Sequence, residues 1–334
     1  MYIRSNVRPS IILWFCWREL VFFALLASAV YCLYHKFHLQ WVAVPFLPVG
    51  TVGTAVAFYV GFKNNASYER LWEARKIWGS IASLCKIFAM GVMSIDGARG
   101  SRASAVQSSL VKRQIAWCNL VRIQLRETSA MHKANRITQE VKLMQYLGKG
   151  VRSEIDTRAY AYHFLDEADQ AEIAGRSNAA LALMQTQIAA VTELQSKKTI
   201  SDTLSESLIE TANECIKEQG AAERLKTFPF PRQYAYFSSA FVWIFMLLLP
   251  FGLMDEMAKA PAGLDWMVIP SSTLISWIFL TMEQVGDSSE DPFEMGLNDV
   301  PITTICRNVE IDLLEMIGSE NVPEKIMPIA DVLL

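Results

Sequence analysis

Residues 37–62 read "FHLQWVAVPFLPVGTVGTAVAFYVGF", with no Asp, Glu, Lys or Arg among them. At 1.5 Å of rise per residue such a run, wound as a helix, is long enough to cross the ~30 Å hydrocarbon core of a bilayer. After Pro45 and Pro48 the stretch turns small, with Gly50, Gly53, Ala55, Ala57 and Gly61. In lipid, close backbone approach replaces the hydrophobic effect as the force between helices, and small residues permit it. A tightly packed membrane helix is the plain reading. A second pattern lies over it. Thr51, Thr54, Phe58, Phe62 and Asn65 recur at spacings of three and four and so share one helix face. Repeated around a symmetry axis, that face makes a narrow apolar constriction with polar rims, of the kind that controls permeation by dewetting.

Working outward, residues 235–254, "AYFSSAFVWIFMLLLPFGLM", form a second charge-free run, and "WMVIPSSTLISWIFLTM" at 266–282 is just long enough to span. A further candidate, 11–34, is interrupted by Arg18 and Glu19. The pair either neutralises itself or marks an interfacial segment that becomes a span near Leu20. The "ASA" at 27–29 is compatible with a signal-peptide cleavage site, but three later spans and the long charged flank favour an uncleaved first span. Four spans are expected. Basic residues set their orientation. Arg4, Arg8 and Arg18 lie before the first span, Lys63, Arg70, Arg75 and Lys76 after the second, and Arg224, Lys226 and Arg232 before the third. The two short connections hold Lys36 and Lys259 alone. Both termini and the middle of the chain should face the cytoplasm, from a multi-pass position in the cell (inner) membrane.

Composition agrees with a membrane class: of 334 residues 52% are hydrophobic and 19% charged, whereas soluble domains carry about 25% charged residues. A net charge of -3 argues against nucleic acid as a partner. The six cysteines are scattered, without a C-x-x-C pair or metal-ligand spacing. His35 and His38 read as interfacial residues at the end of an apolar run. No P-loop, H-E-x-x-H or G-x-S-x-G motif is present, and no charged dyad lies within the spans apart from Arg18 and Glu19, so no enzyme is expected.

The middle region, 63 to about 230, has Pro only at 229 and 231 and reads as helical. Windows 104–127, 179–198 and 202–226 carry apolar residues at helical spacing. "SIDGARGS" and "LGKGVRSE" signal loops, and "SDTLSE" offers Ser201 or Asp202 as a cap. The fold class is therefore an all-α integral membrane protein: 1–62 with the first two spans, 63–232 as a helical domain, 233–285 with the last two spans, and 286–334 as an acidic belt and C-terminal helix. The acidic stretch, "TMEQVGDSSEDPFEMGLNDVP" at 281–301, holds Glu283, Asp287, Glu290, Asp291, Glu294 and Asp299, and no Lys or Arg occurs between Lys259 and Arg307.

"GFKNNASYERLWEARKIWG" at 61–79, followed by "MEQVGDSSEDPFEMGLNDVP" at 282–301, resembles the bestrophin family in its bacterial branch. The likeness covers nearly the whole chain, from the four-span layout to "NVEIDLLEMIG" at 308–318, and is weakest over 95–200. It implies a homopentameric ion channel with one axial pore, partnered by its own copies, the bilayer and permeant monovalent ions, with no resident cofactor. Eukaryotic members conduct chloride; bacterial members need not share that preference, and cations are the other class. By the resemblance the hydrophobic neck falls on Thr54, Phe58 and Phe62. Thr54 departs from the pattern by placing a hydroxyl at the outer ring. Asn64 and Asn65, just below, are candidates for polar contact with a passing ion. A cytoplasmic aperture is implied near 178–191, with Ala180 the first match and Ile188 the second.

In eukaryotic bestrophins the acidic stretch forms a calcium clasp, and carboxylates are what a hard cation requires. Here Ser288 and Ser289 interrupt the run and EF-hand spacing is missing. The favoured expectation is a metal-free belt of Asp287, Glu290, Asp291, Glu294 and Asp299 that caps the next helix and pairs with cations of neighbouring subunits. Calcium at these positions is the alternative. Arg70, Arg75 and Lys76 should pair along the helix with Glu69 and Glu73. Trp72 and Trp78 read as packing anchors. A non-conducting membrane scaffold or carrier is the alternative to the channel.

Overall fold

The computed structural model describes residues 1–3, 9–95, 103–127, 157–228, 230–259, 263–293, 296, 298–328 and 331–333, with the backbone alone over 9–15. Among these residues every regular element is a helix. The one β-type pairing is an isolated antiparallel bridge between Tyr2 and Val332. The chain divides into two units: Arg4–Arg70 with Pro229–Glu290, and Met1–Ile3 with Leu71–Phe228 and Asp291–Leu334.

The first unit holds α1 (Pro9–His35), the first half of α2 (Phe46–Met93), α8 (Arg232–Ala258) and α9 (Val268–Ser288). The helix of α1 runs unbroken through Arg18 and Glu19. Arg18 lies 5.6 Å from the Trp17 ring centroid, a cation–π contact. α1, α8 and α9 pack on one another. Val49, Val56 and Val60 of α2 share a core with Val242, Phe245, Met246 and Leu249 of α8. Glycine makes that approach possible. A Cβ at Gly53 would lie 2.5 Å from Phe245 Cε2, and one at Gly252 would lie 3.1 Å from Val49 Cβ. Each helix thus seats a bulky side chain on the other's glycine, as expected where packing rather than water drives association.

Among the described residues three helical segments are long and apolar enough to cross a membrane: Cys16–His35, Gln40–Met93 and Arg232–Ala258. α9 is apolar through its first turns, then continues past the expected end to carry Glu283 and Asp287. The outward faces of these helices are oily, with Phe22, Leu25, Ile244, Leu274 and Ile278 exposed. Such a surface is unstable in water and natural in lipid.

The second unit is built on α3 (Ala105–Arg126), which is buried on almost every side. Its start is fixed by a capping box in which Ser104 and Gln107 each satisfy the other's backbone N–H. Around α3 pack α4 (Arg158–Tyr162), α6 (Ala179–Ser196), α7 (Asp202–Thr227) and α10 (Ile302–Met316), while α5 (Glu167–Ile173) rests on α6. Trp78, Phe88, Trp117 and Leu120 fill the centre. Two of the polar groups that α3 buries are bonded across helices: Trp117 Nε1 donates to Gln219 Oε1 at 3.0 Å, and Leu110 O accepts from Gln187 Nε2 at 2.8 Å. Ser201, not Asp202, caps α7 through Leu204 N at 3.2 Å.

α2 runs without a break from Phe46 to Met93, so the expected boundary at 62/63 and the division after Arg70 both fall within one continuous helix. Two expectations change. The cysteines are scattered in sequence but not in space: Cys118 and Cys306 sulfurs lie 3.5 Å apart, and Gln114 Nε2 reaches both Cys85 and Cys215 at 3.5 Å. All are free thiols, and hydrogen bonding with the Cys306 and Cys85 thiols, added to by burial, pushes Cys118 well up, which makes it an inert packing group. Trp78 is a core residue, whereas Trp72 lies exposed on the helix surface. "LGKGVRSE" and most of "SIDGARGS" lie outside the described residues.

Candidate permeation stripe

The membrane half of α2 has two faces of opposite character. Val49, Gly53, Val56, Val60, Lys63 and Ser67 are buried against the rest of their unit. Leu47, Thr51, Thr54, Phe58, Phe62, Asn65 and Glu69 form a continuous exposed stripe. Phe58 is 66% and Phe62 75% exposed, values that a packed aromatic side chain does not show. Four residues of helix rise about 6 Å, so the two phenyl rings are stacked one turn apart along the stripe.

The polar members are not what residue type alone suggests. Thr54 Oγ1 donates to Gly50 O at 3.0 Å and Thr51 Oγ1 to Leu47 O at 2.8 Å. Each hydroxyl proton is engaged by the helix's own backbone, leaving a methyl group and oxygen lone pairs to face outward. Asn65 Nδ2 donates to Glu69 Oε1 at 2.9 Å one turn below. Asn64 departs from the expected role. Its Nδ2 donates to Met282 O at 3.0 Å, and it packs so closely on α9 that a Cβ at Gly286 would lie 2.1 Å from its Oδ1. Asn64 therefore ties α2 to α9, and Asn65 alone of the pair lies on the stripe.

Behind the stripe sits a buried ion cluster that the sequence did not announce. Lys63, 3% exposed, donates from Nζ to Glu283 Oε1 at 2.7 Å and to Asp287. Ser238 Oγ donates to Glu283 Oε2 at 2.7 Å. The acidic stretch thus has a counter-charge within its own chain, 220 positions away. Glu290 continues the theme, pairing with Arg232 at 3.5 Å while its carbonyl accepts from Arg70 Nε at 3.0 Å. Arg70 thus reaches the Glu290 carbonyl, and Glu73 pairs with Arg224 at 2.7 Å. Asp299 does not cap α10, whose N-cap is Pro301 with no side-chain bond; it accepts from Gly296 N at 2.8 Å. Asp291 is half-buried, and Glu294 lies outside the described residues. Asp287, Glu290 and Asp299 each accept a hydrogen bond or ion pair from within the chain. Among the described residues no group of three acidic, His or Cys side chains is placed to hold a metal.

The aperture expectation also changes. Ala180 is 0% exposed in the core of the second unit, and a side chain buried within its own chain cannot line an opening. Ile188 is partly buried against the same core. Leu181, 44% exposed beside the Asn178 cap of α6, is the apolar side chain that this turn presents outward. Sequence spacing alone could not choose between adjacent positions of one helix turn.

Deeper in the second unit, Tyr160 OH lies 2.8 Å from both carboxylate oxygens of Glu310, and Arg307 stands 5.7 Å from the Tyr160 ring. Burial pushes the Glu310 carboxyl up, opposed by the Tyr160 hydrogen bond and by Arg307 and Arg122. Burial and the Glu310 contact push the Tyr160 phenol up as well.

Apolar spans, glycine-mediated helix packing and an oily exterior define a helical integral membrane protein. The particular family follows from comparison. The chain belongs to the bestrophin family: the model described as "Bacterial/Fungal Bestrophin protein" matches residues 2–315. It is 28% identical over 306 residues to the voltage-dependent anion channel-forming protein YneE of Salmonella typhi, covering 91% of this chain and 87% of that one. A relative carrying the same channel-forming description in Mesorhizobium japonicum, mll4386, is 25% identical over 338 residues, covering 97% and 90%. Among solved structures, the bacterial bestrophin homolog of Klebsiella pneumoniae superposes with a TM-score of 0.73 at 24% identity, covering 90% of this chain and 98% of that one. That likeness speaks to the fold.

Proposed function

We propose that this chain is one subunit of a homopentameric ion channel for small monovalent ions; the relatives' names carry anions, but the sign this channel prefers is set by its own lining residues. The observation behind this reading is the bare stripe of α2. Its own chain buries the opposite face and leaves Thr54, Phe58 and Phe62 uncovered. Around a five-fold axis the same stripe becomes a neck of stacked rings. Phenyl groups offer no lone pairs to a dehydrating ion, so such a neck limits flux by dewetting. Thr54 adds less polarity to the outer ring than its type implies, because its proton is held by Gly50 O. In this reading α9 is the fourth span, both termini are cytoplasmic, and the inner membrane is the site of action. Leu181 replaces Ala180 as the candidate for a second, cytoplasmic constriction.

Reconstitution tests it. Purified protein should have the native mass of a pentamer and carry monovalent ions across liposomes with a calcium chelator present on both sides. A monomer, or liposomes that stay tight, favours the non-conducting scaffold. Flux abolished by chelator and restored by calcium would revive the clasp.

A further inference from the structure

The stripe that we read as the pore wall carries a definite electrostatic sign, and this inference rests on that reading. The hydroxyl protons of Thr51 and Thr54 are bonded to backbone carbonyls above the phenyl rings, so each hydroxyl offers outward lone pairs. Below the rings, Asn65 uses one of its two N–H donors on Glu69. That bond also fixes the amide's orientation, since turning it would set a carbonyl oxygen against a carboxylate. Asn65 is thus not an indifferent amide: its carbonyl oxygen is held away from Glu69, while the donor side faces it.

Glu69 itself lies on the same line as Phe58 and Phe62, seven residues beyond Phe62 and so about 10 Å along the helix. Among the described residues no cation is paired with it; its partner is the Asn65 amide. The cations of this unit nearest in sequence are held elsewhere: Lys63 on Glu283 and Asp287, and Arg70 on the Glu290 carbonyl. We propose that Glu69 is a specificity-determining residue of the channel: its carboxylate, repeated around the axis just inside the neck, favours monovalent cations over anions. A constriction lined by one sign of charge with low-dielectric walls concentrates counter-ions and excludes co-ions.

The test is a reversal potential in planar bilayers under a sodium chloride gradient. Glu69→Gln keeps the acceptor for Asn65 and removes the charge. It should lower the cation-to-anion permeability ratio about tenfold or more, the scale on which charged clefts enrich counter-ions. Glu69→Asp should keep the parent ratio. The parent ratio should also decline between about 0.1 M and about 1 M salt, as the screening length shrinks from about 10 Å to about 3 Å. An unchanged ratio in Glu69→Gln overturns the proposal. Glu69→Cys, treated with an anionic methanethiosulfonate against the parent as control, separates that failure from failure of the pore reading. If the reagent alters the current while Glu69→Gln has no effect, the side chain lines the path and only the selectivity assignment falls. If the reagent does nothing, α2's stripe is not the path and both fall.

Discussion

At the scale of single residues, Lys63 carries the most. In sequence it is one basic residue following a span, as the orientation rule expects, and nothing nearby shows that it is buried. Its meaning depends on Glu283 and Asp287 from the far end of the chain. Sequence reading saw an acidic stretch without a counter-charge and assigned the counter-charge to other subunits; local pattern contains no term for a partner 220 positions away. The energetics follow from burial. Removing one member of a buried pair leaves an uncompensated charge, which costs about 3–5 kcal/mol. Lys63→Met should therefore lower the melting temperature of the detergent-solubilised protein sharply. Adding Glu283→Gln should restore most of the loss, because Ser238 still has an acceptor and the one charge left without Lys63, Asp287, is nearly half exposed. Asp287, nearly half exposed, contributes little to this balance. A single variant as stable as the parent would show that the cluster is not holding α2 to α9.

At the scale of elements, periodicity and caps were legible. The windows over 104–127, 179–198 and 202–226 became α3, α6 and α7 within a residue or two, and Ser201 proved to be the cap. What periodicity cannot supply is which neighbour each face meets, and so it cannot separate Ala180 from Leu181, or tell that Asn64 faces α9 while Asn65 lies on the stripe. The junction of α4 with α10 shows the same limit: Tyr160 and Glu310 are an unremarkable pair in sequence, yet their contact joins two helices. The folded Glu310 carboxyl binds its proton more tightly than an unfolded one, so its contribution to stability is greatest when protonated and declines as pH rises through the raised pKa. The raised Tyr160 phenol contributes below its ordinary value of about 10 and loses that contribution as pH climbs past it. The phenol is a donor that the Glu310 carboxylate uses. Tyr160→Phe should then cost about 1–3 kcal/mol by chemical denaturation, and the loss should shrink as pH falls through the raised Glu310 pKa. A loss that does not vary with pH would mean that the hydrogen bond does not depend on the charge of Glu310.

At the scale of the whole molecule, charge-free runs, the spacing of Thr and Phe on one face and two separated motifs were enough to identify the family and to point to the stripe. The physical reason is that a bilayer imposes length and apolarity on each spanning segment, which one sequence displays directly. Symmetry leaves a subtler mark, a face that the chain does not cover, and only the packed structure separates such a face from an ordinary buried one. The central claim is that Phe58 and Phe62 ring a five-fold pore. The most direct measurement is the unitary conductance of Phe58→Ala and Phe62→Ala channels, recorded on preparations whose native mass has been checked. A ring-lining phenyl group should give intact pentamers with larger unitary current, because widening the neck removes its dewetted stretch. Intact pentamers that conduct like the parent would contradict the account.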